Sequence, residues 1–309
     1  MDLSTDQLLR IAFDAAAADH ADLPEGLAER VLAGALAGAK PLRHPEWADP
    51  EGAELSPLSA FIQTAAELAD LIETLAPQDW ARMTRLDETT VRDVVAHLVG
   101  VERYVLGQLG RRPDVRAPRR EDHWPMTTRA AAELADEPPE AVARRWWLEV
   151  LDVVAACGEL GPDHQVTYHH LAGNLRGLLV VRTFELWTHS DDIRQATDQP
   201  LNLLDDARLS LMVNELMRVL PLGLALSGCP QAGRTARLNL TGPGGGTFDV
   251  ALAPDETPAD PDVTLTAHAI DLCRLASNRL AHEDFDVLME GDGLLLEPIL
   301  AGATAFAAD

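Results

Sequence analysis

A chain of 309 residues with 47% apolar and 24% charged positions has material for a sizeable core and does not read as a disordered tail. With 25 Lys plus Arg against 50 Asp plus Glu, its net charge of -25 repels phosphate backbones and anionic lipid, which argues against nucleic-acid and membrane-surface functions. An anionic substrate would need a local cation, and arginine must supply it, because Lys40 is the single lysine.

Residues 1–40 read as two short amphipathic helices, over 5–17 and 24–37, followed by a Pro-containing connector. This extension, residues 1–56, carries no motif and reads as a docking or shielding segment. Helical apolar spacing runs from 58 to 75, and a second helix starts at DETTVRDVVAHLVGVERYVLGQL with Thr89 or Thr90 as its N-cap. The Arg- and Pro-rich stretch 111–125 reads as a loop. A third helix over 138–157 opens on proline, the loop GELGPDHQVTYHH follows, and a fourth helix spans about 174–197. Four long helices with one apolar stripe each predict an antiparallel four-helix bundle over 57–200. After Pro200 the pattern changes. A helix over 205–220 leads into two alternating stretches around TGPGGG, a hairpin signal, then a strand running into the helix AIDLCRLASNRL, and a final strand and helix. Residues 201–309 therefore read as a small α+β domain.

Compartment signals are few. MDLSTDQLLR lacks the n-region and h-region of a signal peptide, and no run approaches the roughly 18 apolar residues of a membrane span; the nearest, 219–227, contains Pro221 and Gly223. The expected compartment is the cytoplasm. Cys157, Cys229 and Cys273 are odd in number and widely spread, so neither a disulfide framework nor a cysteine zinc site is indicated, and each reads as structural.

The sharpest local feature is RTFELWTHSDDIR in the fourth helix. Arg182, Glu185, His189 and Asp192 recur at spacings of three and four, so they share one face and interrupt what should be an apolar seam. Taken alone, that stripe fits a solvated face with two salt bridges as well as a pair of metal ligands. His97, set among Val94, Val95, Leu98 and Val101 of the second helix, fits a core histidine or a third ligand. A His2Glu set from two facing helices leaves the open fourth position of a catalytic zinc site.

TTVRDVVAHLVGVERYV followed by LVVRTFELWTHSDDIRQATDQP resembles the mycothiol-dependent maleylpyruvate isomerase family, among the DinB-like metal-binding bundles. The later LNLTGPGGGTFDVAL and AIDLCRLASNRL resemble that family's C-terminal domain. The resemblance covers about residues 57–305 and implies a mainly α fold: a DinB-like bundle followed by a small α+β domain. It also implies a divalent metal, usually taken as zinc, on His97, Glu185 and His189, with Arg182 and Asp192 standing where the family has Arg and Asp. A family arginine of the C-terminal domain bears on substrate carboxylates; Arg279 is its match here, with Arg274 the weaker neighbour. Where the family often carries a Cys-Pro-Gly-Trp-like segment before the second helix, this chain has RLDETT.

The activity so implied is a mycothiol-using isomerase or S-transferase acting on a small electrophile through a metal-bound thiolate, with no cysteine of its own required. The partners so implied are a low-molecular-weight thiol and a small-molecule electrophile. A non-catalytic metal-binding sensor of the same fold, or a metal-dependent hydrolase, are the rival expectations. Lesser candidates are His169 and His170 as surface residues near the site mouth, and His123 with Trp124 as the lining of a thiol pocket. GPGGG lacks a following GK[ST] and lies between strands, so it reads as a turn rather than a phosphate cradle.

Overall fold

The computed structural model describes residues 47, 55–111, 124–168 and 171–307. The chain divides into two compact units at Asn202/Leu203. The expected helices over 5–17 and 24–37, the loop residues 112–123 with His123, and His169 and His170 lie outside the described residues, as does the side chain of Trp124.

Unit 1 is built on α1 (Pro57–Glu73), α2 (Val91–Gln108), α3 (Trp124–Glu133), α4 (Pro139–Glu159), a short hairpin of β1 (Gln165–Tyr168) and β2 (Leu171–Asn174), and α5 (Leu175–Ala196). Each start has a local cause. Ser56 accepts from Ser59 N ahead of Pro57 in the first turn of α1, and Asn174 accepts from Gly177 N at the head of α5. Thr90, not Thr89, caps α2, in a capping box closed by Asp93. Such caps are worth about 1 kcal/mol apiece.

Helices α1, α5, α2 and α4 pack in a ring, each against the next, and α3 lies against α2. Their inward faces meet in one apolar core containing Phe61, Leu68, Val95, Leu98, Trp146, Val150, Leu179 and Leu186. At Gly100 a Cβ would lie 2.4 Å from the Cα of Thr127, so only glycine lets α2 and α3 approach so closely. Trp47 belongs to the same core at 3% exposure, and its indole N–H is shared between the carbonyls of Cys157 and Leu160 at the end of α4.

Three features bear on what the sequence suggested. The loop before the fourth helix contains the β1–β2 ladder, and α3 begins at Trp124, inside the stretch 111–125 expected as a loop. The stripe Arg182–Asp192 is also not a solvated face: Arg182, His189 and Asp192 are all buried.

Unit 2 comprises α6 (Asp206–Leu226), β3 (Thr235–Thr241), β4 (Gly246–Ala251), β5 (Val263–His268), α7 (Ala269–Ala276), β6 (Val287–Gly291) and α8 (Leu296–Thr304). Its sheet has the order β4-β3-β5-β6, with β3 and β4 antiparallel across the turn at 242–245, β3 and β5 parallel, and β5 and β6 antiparallel. Alternation along β3 and β5 sends Ala236, Leu238, Leu240, Val263, Leu265 and Ala267 to the buried side. Helix α6 continues past Pro221 and packs on α8. A Cβ at Gly223 would fall 2.1 Å from the Gly302 carbonyl oxygen, so this crossing also needs glycine.

By length and composition α6 is, among the described residues, the one helix able to cross a membrane, with 44% of its apolar window buried inside the protein. Counting unbroken apolar runs missed it because Asn214, Glu215 and Arg218 interrupt the run without lowering the average much. Its buried residues Leu209, Met212, Val213, Leu216, Leu220 and Leu224 recur at helical spacing, as for one face of a core helix.

The helix expected over AIDLCRLASNRL stops at Ala276. Asn278 takes a left-handed φ of 56°, and the N–H groups of Asn278 and Arg279 close back on the carbonyls of Leu275 and Arg274. That is a Schellman closure, so Arg279 sits in the turn beyond the helix rather than on it.

Candidate metal centre

Unit 1 brings His97 of α2 against Glu185 and His189 of α5. One potential ligand atom from each lies within 4.8 Å of the others. His97 Nε2 is 3.3 Å from Glu185 Oε1, and the two imidazoles meet edge to face with centroids 5.2 Å apart. Two donors at 2.0–2.1 Å from one ion and a tetrahedral angle apart are separated by about 3.3–3.4 Å. The His97–Glu185 spacing therefore falls in the range of two donors on one divalent ion.

Each donor is oriented by a neighbour. His189 Nδ1 lies 3.1 Å from Asp192 Oδ2, one turn along α5. A carboxylate only accepts, so Nδ1 carries the proton and the Nε2 lone pair is free to coordinate. Glu185 is held through its other oxygen: Oε2 accepts from Arg182 Nη1 and from the Tyr168 hydroxyl, the latter at 3.4 Å. Oε1 is thereby left toward His97. Arg182 is completely buried and its Nη2 donates to Glu102 Oε1 at 2.6 Å.

The electrostatics follow from this burial. Burial lowers the His97 pKa, with the Glu185 hydrogen bond opposing, so the imidazole is biased toward the neutral form a ligand needs. Burial, reinforced by the Glu185 charge, raises the Tyr168 hydroxyl well above its ordinary value, so it remains a donor. Burial alone would lower the Arg182 pKa; the charges of Glu102 and Glu185 reverse this and raise it. Burial raises the Glu102 carboxyl, with Arg182 opposing. Counted as ionised, Glu102 and Glu185 on the Arg182 guanidinium and Asp192 on His189 give the cluster an excess of two negative charges that a dication would offset. The donor types, the His97–Glu185 spacing and the charge fit a divalent ion.

His97, Glu185, His189, Arg182 and Asp192 are thus gathered in one cluster. Arg279 belongs to unit 2, where its Nη1 donates to the Ser277 carbonyl at 2.8 Å, and its neighbour Arg274 pairs with Asp271 at 3.6 Å. Cys157 and Cys273 are buried thiols raised by desolvation, the latter to about 12, and Cys229 is half-buried; none of the three is in a disulfide. Two members of the cluster escaped sequence reasoning. Glu102 had a usable signal, since it stands four residues after Leu98 and three before Val105, on the buried stripe of α2. Tyr168 had none beyond its place next to two histidines.

Residues 61–194 match the family model described as the mycothiol maleylpyruvate isomerase N-terminal domain. Among solved structures, the chain is similar to a mycothiol-dependent maleylpyruvate isomerase, with a TM-score of 0.50 at 15% identity, covering 75% of this chain and 91% of that one. A histidine-to-alanine mutant of a mycothiol-dependent maleylpyruvate isomerase gives a TM-score of 0.51 at 14% identity with the same coverage. At such identities the likeness establishes the fold alone, a helical bundle followed by a small α+β unit. A comparison with curated proteins gave no match.

Proposed function

We propose that this chain, whose residues 61–194 match the model of the mycothiol maleylpyruvate isomerase N-terminal domain, is a metal-dependent, mycothiol-using isomerase or S-transferase acting on a small electrophile. The observation that carries the proposal is the convergence of His97, Glu185 and His189 with a spacing and charge suited to one divalent ion. When bound, that ion supplies a Lewis acid that lowers the pKa of a coordinating thiol and presents it as thiolate.

The chain's own residues prepare the place. Asp192 sets the His189 tautomer, and Arg182 with Tyr168 holds Glu185 so that one oxygen is available. The side chains of His97 and Glu185 keep 19% and 18% of their surface exposed, enough for a small thiol to reach an otherwise buried cluster. In isomerisation the thiol sulfur adds to an activated double bond, the resulting single bond rotates, and elimination returns the thiol. In S-transfer the adduct leaves. Either way the protein needs no nucleophilic cysteine, in keeping with its buried Cys157 and Cys273. Arg279 is the proposed partner of a substrate carboxylate, favoured by the two-point donor geometry of guanidinium on a chain whose overall charge repels anions.

The test is turnover of maleylpyruvate and of a generic thiol-reactive electrophile by the zinc-loaded protein, with and without mycothiol. The proposal requires conversion that depends on the thiol and disappears in His97→Ala. Formation of hydrolysis products without thiol would make the protein a hydrolase, and metal binding with no conversion would make it a binding protein.

A further inference from the structure

Glu102 contacts none of the three donor residues by any hydrogen bond, yet it is wholly buried in the middle of α2 and holds the arginine that holds Glu185. Three charged groups stand in series, Glu102–Arg182–Glu185, and the chain of contacts ends on a donor oxygen pair.

The way the first link is made shows that it is not arranged for stability. A buried carboxylate and guanidinium bind best by two parallel hydrogen bonds. Here a single one forms, Nη2 to Oε1, and both Glu102 Oε2 and Arg182 Nε are buried without a hydrogen-bond partner. Each such orphan carries a desolvation cost, and a buried ion pair of this kind is often no more stable than apolar residues of the same volume. What the arrangement does secure is direction. With Nη2 tied to Glu102, Nη1 is turned to Glu185 Oε2, and Glu185 Oε1 is left facing His97.

We propose that Glu102 is a positioning residue for the metal centre, acting through Arg182 to keep Glu185 available as a ligand. The inference rests on the reading of His97, Glu185 and His189 as a metal site. Glu102 balances the buried guanidinium. Without that balance Glu185 is the remaining anion in contact with it, and Arg182 competes with the ion for the carboxylate.

The test is titration of the full chain with Zn2+ by calorimetry and with Co2+ by its visible absorption, which reports the donor set. Glu102→Gln is expected to weaken uptake by about 10- to 100-fold, the usual scale for groups that support ligands. In an Arg182→Met background the same Glu102→Gln change is expected to alter affinity by less than about threefold, because Glu102 then has nothing to act through. A merely structural role would lower affinity equally in both backgrounds and would leave the Co2+ spectrum of the loaded protein unchanged. Either result overturns the inference, as does wild-type affinity in Glu102→Gln. Should that variant not fold, Glu102→Asp keeps the charge but falls short by about one bond, roughly 1.5 Å, and its affinity must fall if the contact matters. A wild-type protein that takes up neither ion refutes the metal reading itself, which is distinct from wild-type uptake with an indifferent Glu102.

Discussion

Trp47 stands outside residues 61–194, which match the family model, yet it is built into the bundle core. Replacing it by alanine removes an indole that is 3% exposed. Truncating a buried Trp costs about 3–5 kcal/mol, the transfer term plus the cavity left behind. The indole N–H also donates to the carbonyls of Cys157 and Leu160, 3.0 and 2.6 Å away, at the end of α4, where the Cys157 carbonyl accepts from the Leu160 N–H as well. Losing that donor adds about 0.5–1.5 kcal/mol, and less where water enters the gap. A loss of about 4 kcal/mol is therefore expected for Trp47→Ala, a large share of the 5–15 kcal/mol typical of a domain. Trp47→Phe keeps most of the apolar contact and should lose about half as much. Urea denaturation followed by far-UV circular dichroism measures both, provided the unit 1 transition is fitted separately from that of unit 2. A loss below 1 kcal/mol in Trp47→Ala would refute the argument that this residue completes the core.

Asp192→Ala should weaken Zn2+ binding about 10- to 100-fold, because His189 then loses the acceptor that fixes its tautomer; chelator competition reads the change, and unaltered affinity would leave Asp192 a packing residue. Arg279→Lys should cut turnover of a carboxylate-bearing electrophile while zinc content stays at the wild-type level, since lysine lacks the planar donor fork; undiminished turnover removes Arg279 from the site. Asp205 caps α6 and pairs with Arg208 at 2.6 Å, and although burial raises its pKa, the Arg208 hydrogen bonds and charge hold it below the ordinary value. Its stabilisation of unit 2 is then present above the unfolded value of about 3.9 and lost as pH falls through the lower folded value. Asp205→Asn should destabilise unit 2 at pH 6 and by a shrinking margin as pH falls below the unfolded value, as read by denaturant midpoints; a difference that does not shrink with acidity contradicts the assignment.

Much of the architecture was legible because the signals were periodic. The apolar stripes of α1, α2, α4 and α5 and the alternation of β3 and β5 each repeat often enough to declare their type. The β1–β2 hairpin was not, because four-residue strands with exposed Ala172 and Gly173 carry too few alternations to be recognised. The end of α7 depended on one backbone angle at Asn278, and the run of good helix formers before it concealed the stop. At the site, spacing within α5 placed Glu185, His189, Arg182 and Asp192 on one face. What it could not convey was burial. Whether that face met solvent or α2 was decided by residues about eighty positions away, Glu102 and His97.

The four sides of the unit 1 ring are unequal. Helices α1 and α5 lie in broad contact, as do α2 and α4, while α2 and α5 touch least. That thin side is where the ionisable cluster lies, so side chains of opposite charge stand in for the apolar packing that closes the rest of the bundle. An ion shared by His97 and the α5 pair would clasp two helices 88 residues apart in sequence. By mass action it would add about 2.7 kcal/mol to the folded state at a free concentration one hundred times its dissociation constant. The durability of the bundle would then follow the metal supply of its surroundings, and the seam proposed to receive the thiol would be the first to part when the ion is withdrawn.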